Sequence, residues 1–306
     1  MTDSNDTGLI FDIKRYAIND GPGIRIVIFL KGCNLNCSWC HNPEGISTRQ
    51  ERMYSQSKCI SCGLCVSSCP TKALTLTAGG IATDTSLCEL SGNCALVCPT
   101  KAIEISGHRM SVGEIMTEIG KERIFFDQSG GGVTFSGGEP LMHADFLIQL
   151  LKSCGNQGIH RAVDTAGLSK TDVLLEVAKH TDLFLYDLKM FDLERHRTWT
   201  GVSNQPILEN LEILAKTGAH IILRIPLIGG INDDQQNMED TAAFVASLSG
   251  EKKEVNLLVY HKSALNKYGK LGREEEFKLF REPSGEAFQN ALAIFQKYGI
   301  KARIGG

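Results

Sequence analysis

Ile24–Cys40 reads IRIVIFLKGCNLNCSWC, and how this stretch is read decides how the rest of the chain is read. Its first part, Ile24–Leu30, is a nearly continuous apolar run rich in β-branched residues, as in a strand buried on both faces. Its second part carries Cys33, Cys37 and Cys40 at C-x3-C-x2-C spacing. A buried strand opening at once into such a loop puts thiol chemistry at the strand's carboxyl end. Three thiolates can hold a four-iron cluster with one iron left open, where a ferredoxin would close the site with a fourth cysteine. An open metal position can bind a small molecule, as in catalytic zinc sites. Zinc stays open as an alternative, because His41 follows immediately and could serve as a fourth ligand.

Beyond Ser111 the same kind of strand recurs. Short apolar runs at Gly132–Phe135, Ala162–Thr165, Leu183–Leu188, Ile221–Ile225 and Val255–Tyr260 alternate with helical periods, as in His143–Cys154, Thr171–His180 and Met238–Leu248. Strands alternating with helices imply parallel βαβ units. Six such units predict an α/β fold, a partial (β/α)6 barrel, with a doubly wound sheet as the alternative. Either fold binds ligands at the carboxyl ends of its strands. The polar motifs fall there: Ser136-Gly137-Gly138-Glu139 after Phe135, Asp164-Thr165 at the end of the next run, Asp187-Leu188-Lys189 after Leu185, and His261 after the last run.

The 306 residues suit one large domain or two of ordinary size, and 42% hydrophobic content allows a sizeable core. A net charge of -3 without a long basic run argues against a nucleic-acid partner. The opening MTDSNDTG has no signal-peptide core, and no apolar stretch is long enough for a bilayer, so a cytoplasmic protein without a membrane partner is expected. Ten of the eleven cysteines lie between Cys33 and Cys98, in tight local spacings that favour metal or cluster ligation over disulfides. Cys154 stands apart in a helical pattern and reads as a small buried side chain.

Residues 51–105 read as an inserted module, splitting a main domain of residues 1–50 and 106–306. Cys59-x2-Cys62-x2-Cys65-x3-Cys69-Pro70 is a bacterial ferredoxin run, in which the fourth cysteine serves the other cluster. One auxiliary [4Fe-4S] cluster would then use Cys59, Cys62, Cys65 and Cys98. A second would have Cys69, Cys88 and Cys94, with Ser91 where a cysteine is expected. A three-iron cluster, a labile four-iron cluster or a vestigial site all stay open for it. A short insert poor in core residues can need its metal to fold.

The chain resembles the glycyl-radical-enzyme activating enzymes of the radical S-adenosylmethionine superfamily. The likeness runs through YAINDGPGIRIVIFLKGCNLNCSWCHNPE (Tyr16–Glu44), FSGGEPL, DTAG and YDLKMFD to LLVYHKSALNKYGKLG. The resemblance implies that a [4Fe-4S] cluster on Cys33, Cys37 and Cys40 chelates S-adenosylmethionine. An electron then breaks the S–C5′ bond, and the 5′-deoxyadenosyl radical takes a hydrogen from a glycine of a partner enzyme. It also implies a flavodoxin or ferredoxin as reductant. A radical enzyme acting on a small molecule or RNA, or a ferredoxin-like electron carrier, would be the rival readings.

By the same resemblance, Trp39 packs near the adenine, although an aromatic residue there could equally anchor the loop. Ser136, Gly137, Gly138 and Glu139 meet the methionine amino group, His41 and His261 belong with the cofactor, and Asp164 and Thr165 help hold a monovalent cation. Asp187 and Lys189 share a strand face; an acid beside a lysine can be a plain salt bridge, but the resemblance puts both at the cofactor. Arg224, inside an apolar run, needs a partner such as the cofactor carboxylate or a neighbouring acid. Asp20 in DGPG reads locally as a turn residue; the resemblance counts it with the catalytic groups, where the protein substrate enters.

Overall fold

The expected apolar runs form the centre of one sheet. The structure, a computed structural model, describes residues 6–250, 253–276 and 280–305, so Met1–Asn5 of the polar opening lie outside it. Its strands are β1 (Thr7–Ala17), β2 (Arg25–Leu30), β3 (Glu51–Tyr54), β4 (Leu74–Thr77), β5 (Gly80–Thr83), β6 (Ile103–Ser106), β7 (His108–Ser111), β8 (Gly132–Gly137), β9 (His160–Thr165), β10 (Leu183–Asp187), β11 (Ile221–Leu227), β12 (Glu254–Val259) and β13 (Ala302–Ile304). The main sheet has nine strands in the order β13-β12-β11-β10-β9-β8-β2-β1-β7. Neighbours from β2 through β8 to β13 pair in parallel, while β1 pairs antiparallel with β2 and with β7. The fold is mixed α/β with a largely parallel sheet.

Helices cover one face. Ala144–Asn156 buries Phe146, Leu147, Leu150, Leu151 and Cys154, a set at helical spacing. These join Ile28, Val133, Phe135, Val163, Phe184 and Leu223 in one apolar core. The other face is different. Ala162, Leu183, Leu185 and Ile222 form a small apolar layer of their own. One step of two residues towards the carboxyl ends, the same strands carry Asp164, Asp187 and Arg224. An apolar floor is thus topped by a charged layer.

Strands β1, β7 and β13 were not expected from the sequence. In β1 the residues at every second position beyond Ile10 are Asp12, Lys14 and Tyr16, all exposed, so the apolar signal is diluted. Arg25 interrupts the apolar run of β2, yet it is 1% exposed. Its guanidinium donates to Thr134 Oγ1 at 2.7 Å and to the carbonyls of Val133 and Pro22, which makes its burial tolerable.

Residues 51–106 leave the sheet and return as a ladder in which β3 pairs with β6, from Glu51↔Ser106 to Tyr54↔Ile103. Between them lie the β4–β5 hairpin and two short helices, Leu64–Ser68 and Asn93–Leu96. Cys65, Leu74, Ile81 and Ile103 form a small core there.

The ends of β2 and β8 are knitted together by backbone. Gly138 N–H donates to the Leu30 carbonyl and Glu139 N–H to the Gly32 carbonyl, both at 2.8 Å. Gly137 sits at φ +126, and a Cβ on Gly138 would lie 2.1 Å from the Gly32 oxygen. Glycine here is required by the protein's own backbone. Gly138→Ala is therefore expected to lower unfolding stability by about 1–3 kcal/mol, read as a lower denaturant midpoint at unchanged slope.

Candidate active site

The cysteine loop is pinned on two sides. Gly32 N–H and Cys33 N–H donate to the carbonyls of Gly45 and Ile46, at 2.8 and 2.9 Å. Asn36 N–H and Ser38 N–H donate to Thr200 and Trp199, at the end of helix Leu193–Thr200. Leu35 N–H points to Cys33 Sγ at 3.4 Å. Burial pushes the Cys33 and Cys40 thiols up to about 12 and raises Cys37 as well. The three thiols lie within electrostatic reach of one another and of the Lys189 ammonium. A metal bound among them would hold them as thiolates.

Beside this loop the charged layer forms a connected set. Ser136 Oγ donates to Asp164 Oδ2 at 2.7 Å. Arg224 Nη1 lies 3.4 Å from that same oxygen and 3.5 Å from Asp20 Oδ1. Lys189 Nζ donates to Asp187 Oδ2 at 2.8 Å. Burial would lower the Lys189 pKa, but Asp187 and the thiols of Cys37 and Cys33 more than offset it, leaving the ammonium above its ordinary range. Burial raises Asp164 to about 6, with Arg224 opposing and Asp187 assisting. Asp164 Oδ1 and Arg224 Nε are buried without a hydrogen-bond partner among the described residues.

Glu139 and Thr165 hold one another. Thr165 Oγ1 donates to Glu139 Oε1 at 2.6 Å, and the N–H groups of Leu141 and Ala166 also donate to this carboxyl. Burial lifts Glu139 to about 7, and these three donors oppose the rise. Its visible task is to join the loops after β8 and β9.

The remaining expected residues lie around this centre. Trp39 is 5% exposed and packs edge-on to Phe280, in a cluster with Tyr260 and Ile228. His41 is exposed and stacks on Tyr260, with ring centroids 5.6 Å apart. His261 is exposed beyond the end of β12. Asp20 lies inward, on Arg224, with Lys14 3.8 Å from its other oxygen.

Sequence reading missed a second charged group behind the cysteine loop. Lys31, with no exposed surface, donates from Nζ to the Glu44 carbonyl at 2.5 Å and to Glu51 at 2.6 Å. Arg273 also pairs with Glu51, and Lys267 bonds Glu44 at 2.6 Å and Asn42 at 2.7 Å. The signal for it was a lysine set between a buried strand and the first cysteine.

The cysteines between Cys59 and Cys98 line two small cavities. Cys59, Cys62, Cys65 and Cys98 border the first, with Tyr54 and Ile103. Cys69, Cys88, Cys94 and Ser91 border the second, with Arg52, Glu89 and Ile105. Among the described residues, no three His, Cys, Asp or Glu side chains are grouped as a site for a single metal ion.

Asp164 and Glu139 hold their protons to higher pH in the fold than in the unfolded chain, so these two groups bind more protons in the folded state between about pH 4 and 7. Their contribution to stability should therefore fall as pH rises through that window. Asp164→Asn is expected to flatten the part between about pH 4 and 6, measured by denaturant titrations at several pH values.

Residues 19–208 match the family described as "4Fe-4S single cluster domain". The chain is 40% identical over 301 residues to the trans-4-hydroxy-L-proline dehydratase activating enzyme of Clostridioides difficile, covering 97% of this chain and 99% of that one. It is 38% identical over 301 residues to the choline trimethylamine-lyase activating enzyme of Oleidesulfovibrio alaskensis, covering 97% of each. A radical SAM methyltransferase from Sphaerobacter thermophilus shares the fold, with a TM-score of 0.54 at 14% identity, over 96% of this chain and 76% of that one. Similarity to activating enzymes runs the length of the chain, through both the cysteine loop and the insert. The chain belongs to the glycyl-radical-enzyme activating enzymes of the radical S-adenosylmethionine superfamily.

Proposed function

We propose that this chain activates a glycyl-radical enzyme at the rim where the Cys33–Cys40 loop meets the charged layer of β8–β11. The observation that carries the reading is the pair of partnerless buried groups beside the cysteine loop, Asp164 Oδ1 and Arg224 Nε. An amino acid offers an ammonium to the first and a carboxylate to the second, and buried polar groups demand such partners. Cys33, Cys37 and Cys40 would hold the [4Fe-4S] cluster, and Lys189 and Asp187 would orient S-adenosylmethionine from the neighbouring strand end. When bound and reduced, that cluster would supply the electron for cleaving the S–C5′ bond, chemistry that would end in the loss of a hydrogen from a glycine of the partner.

Ser136 and Asp164 would anchor the amino group, and the Asp164 oxygen left free is also consistent with a monovalent cation. Thr165 and Glu139 would keep the rim loops in register. Trp39 would serve first as the anchor of the cysteine loop, through Phe280. Asp20 would act through Arg224, setting the charge beneath the site. Residues 51–105, bounded by the Glu51↔Ser106 pair, would form a ferredoxin-like insert on the partial barrel and carry auxiliary clusters that accept electrons from a flavodoxin or ferredoxin. Among the described residues no helix is long and apolar enough to cross a membrane.

Anaerobic incubation with S-adenosylmethionine and a strong reductant should yield 5′-deoxyadenosine, and Cys37→Ala should abolish it while the insert keeps its iron. Wild-type turnover by Cys37→Ala would refute the assignment. Lys189→Ala should weaken S-adenosylmethionine binding roughly ten- to hundredfold, as expected for a lost charged hydrogen bond, with a melting curve run alongside to check the fold. Activation is read separately, as a glycyl radical signal by electron paramagnetic resonance after mixing with a candidate partner enzyme.

A further inference from the structure

The two cavities of the insert are not equivalent, and the β3–β6 ladder shows why. Arg52 and Ile105 are partners in register, and both line the second cavity. Tyr54 and Ile103, the pair two residues further on, both line the first. Two residues of strand advance about 6.7 Å. At the near end of the ladder Glu51 is bonded to Lys31, two residues ahead of Cys33. The second cavity therefore lies towards the radical-cluster loop, and the first lies at the outer end.

Arg52 and Tyr54 alternate onto one face of β3, with the guanidinium carbon 5.7 Å from the tyrosine ring centroid. Tyr54 faces the first set, in hydrogen-bond reach of the Cys59 thiol. Arg52 faces the second. Its Nη1 is buried and has no hydrogen-bond partner among the described residues. The neighbouring groups that act most on its charge are the thiols of Cys94 and Cys88, then Cys65 and Tyr54. Glu89 also borders this cavity, but its side chain is exposed. A half-buried cation with a buried spare donor, lining a cavity together with thiols, calls for an anionic occupant with acceptor atoms.

We propose that Arg52 is a positioning residue for an iron–sulfur cluster at Cys69, Cys88 and Cys94, donating from Nη1 to its sulfur and raising its reduction potential. The inference rests on the reading that the insert carries clusters. One-electron reduction adds a negative charge to such a site, and a poorly solvated guanidinium beside it favours the reduced form. Net charge and hydrogen bonds to sulfur are among the main controls of these potentials. The outer site, where Cys65 interacts with Arg52 less strongly than Cys94 and Cys88 do, is adjusted less. The same donor would help retain a cluster whose thiolate set is interrupted at Ser91.

The test uses the full chain, reconstituted anaerobically, with iron and sulfide analysis and a reductive titration followed by electron paramagnetic resonance. Cys88→Ala identifies the signal of the inner site by removing it. Arg52→Gln should keep the iron and shift that signal's midpoint to lower potential by more than any other signal's. Arg52→Lys, which keeps the charge, should stay close to wild type. An unmoved midpoint in Arg52→Gln, or equal shifts in both variants, overturns the inference alone. If Arg52→Gln sheds the inner iron, retention by Arg52→Lys supports the charge role and loss in both overturns it. If Cys88→Ala removes neither iron nor signal, the inference and the two-cluster reading fall together.

Discussion

Leu30 and Gly32 present their carbonyls to Gly138 and Glu139, and the arrangement of the rim follows from that close contact. It brings the cysteine loop and the loop after β8 within backbone hydrogen-bonding distance, with no room for side chains between them. Glu139 then passes the constraint on, accepting from Thr165 and Ala166 at the end of β9. Three successive strand ends are thereby held in fixed relation. A cluster bound to the first would have a defined position relative to groups on the other two.

The charged layer answers a second demand. Ionisable groups above an apolar floor are costly unless each finds a counter-charge. Here Asp20, Asp164 and Asp187 face Arg224 and Lys189, so the set is close to balanced before any ligand arrives. The balance is incomplete at Asp164 Oδ1 and at Arg224 Nε and Nη1, which have no hydrogen-bond partner among the described residues. Preorganised charge of this kind needs little rearrangement on binding.

Behind the loop, Lys31, Glu44, Glu51, Lys267 and Arg273 tie together segments far apart in the chain. Glu51 is also the first residue of β3. Residues 51–106 are therefore fastened to the Cys33–Cys40 loop by a partly buried ion pair as well as by the chain itself. Arg52, the next residue, points to the opposite side and meets the inner cysteine cavity.

Much of this was legible in the sequence, for identifiable reasons. Strands β2 and β8–β12 are buried on both faces, so their apolar runs stand out, and their motifs fall at the carboxyl ends because parallel βαβ units place them there. Cysteine spacing set the C-x3-C-x2-C loop apart from the runs between Cys59 and Cys98, and those later cysteines line two separate cavities. Other features depended on tertiary structure. Strand β1 pairs with β7 only over Thr7–Ile10, and beyond that it alternates half-buried and exposed side chains whose charges hide the period. The need for Gly137 and Gly138 lies in Leu30 and Gly32, a neighbouring strand end that no local pattern reveals. Arg224 called for a counter-charge, but only the fold could select Asp20 and Asp164 from 35 acidic residues. The sequence by itself determined which residue types cluster along the chain, because local spacing and burial period are written in one dimension. Which of them meet across the sheet, and which buried atoms are left without partners, was decided by tertiary structure, because those are distances between residues that sequence order does not bring together.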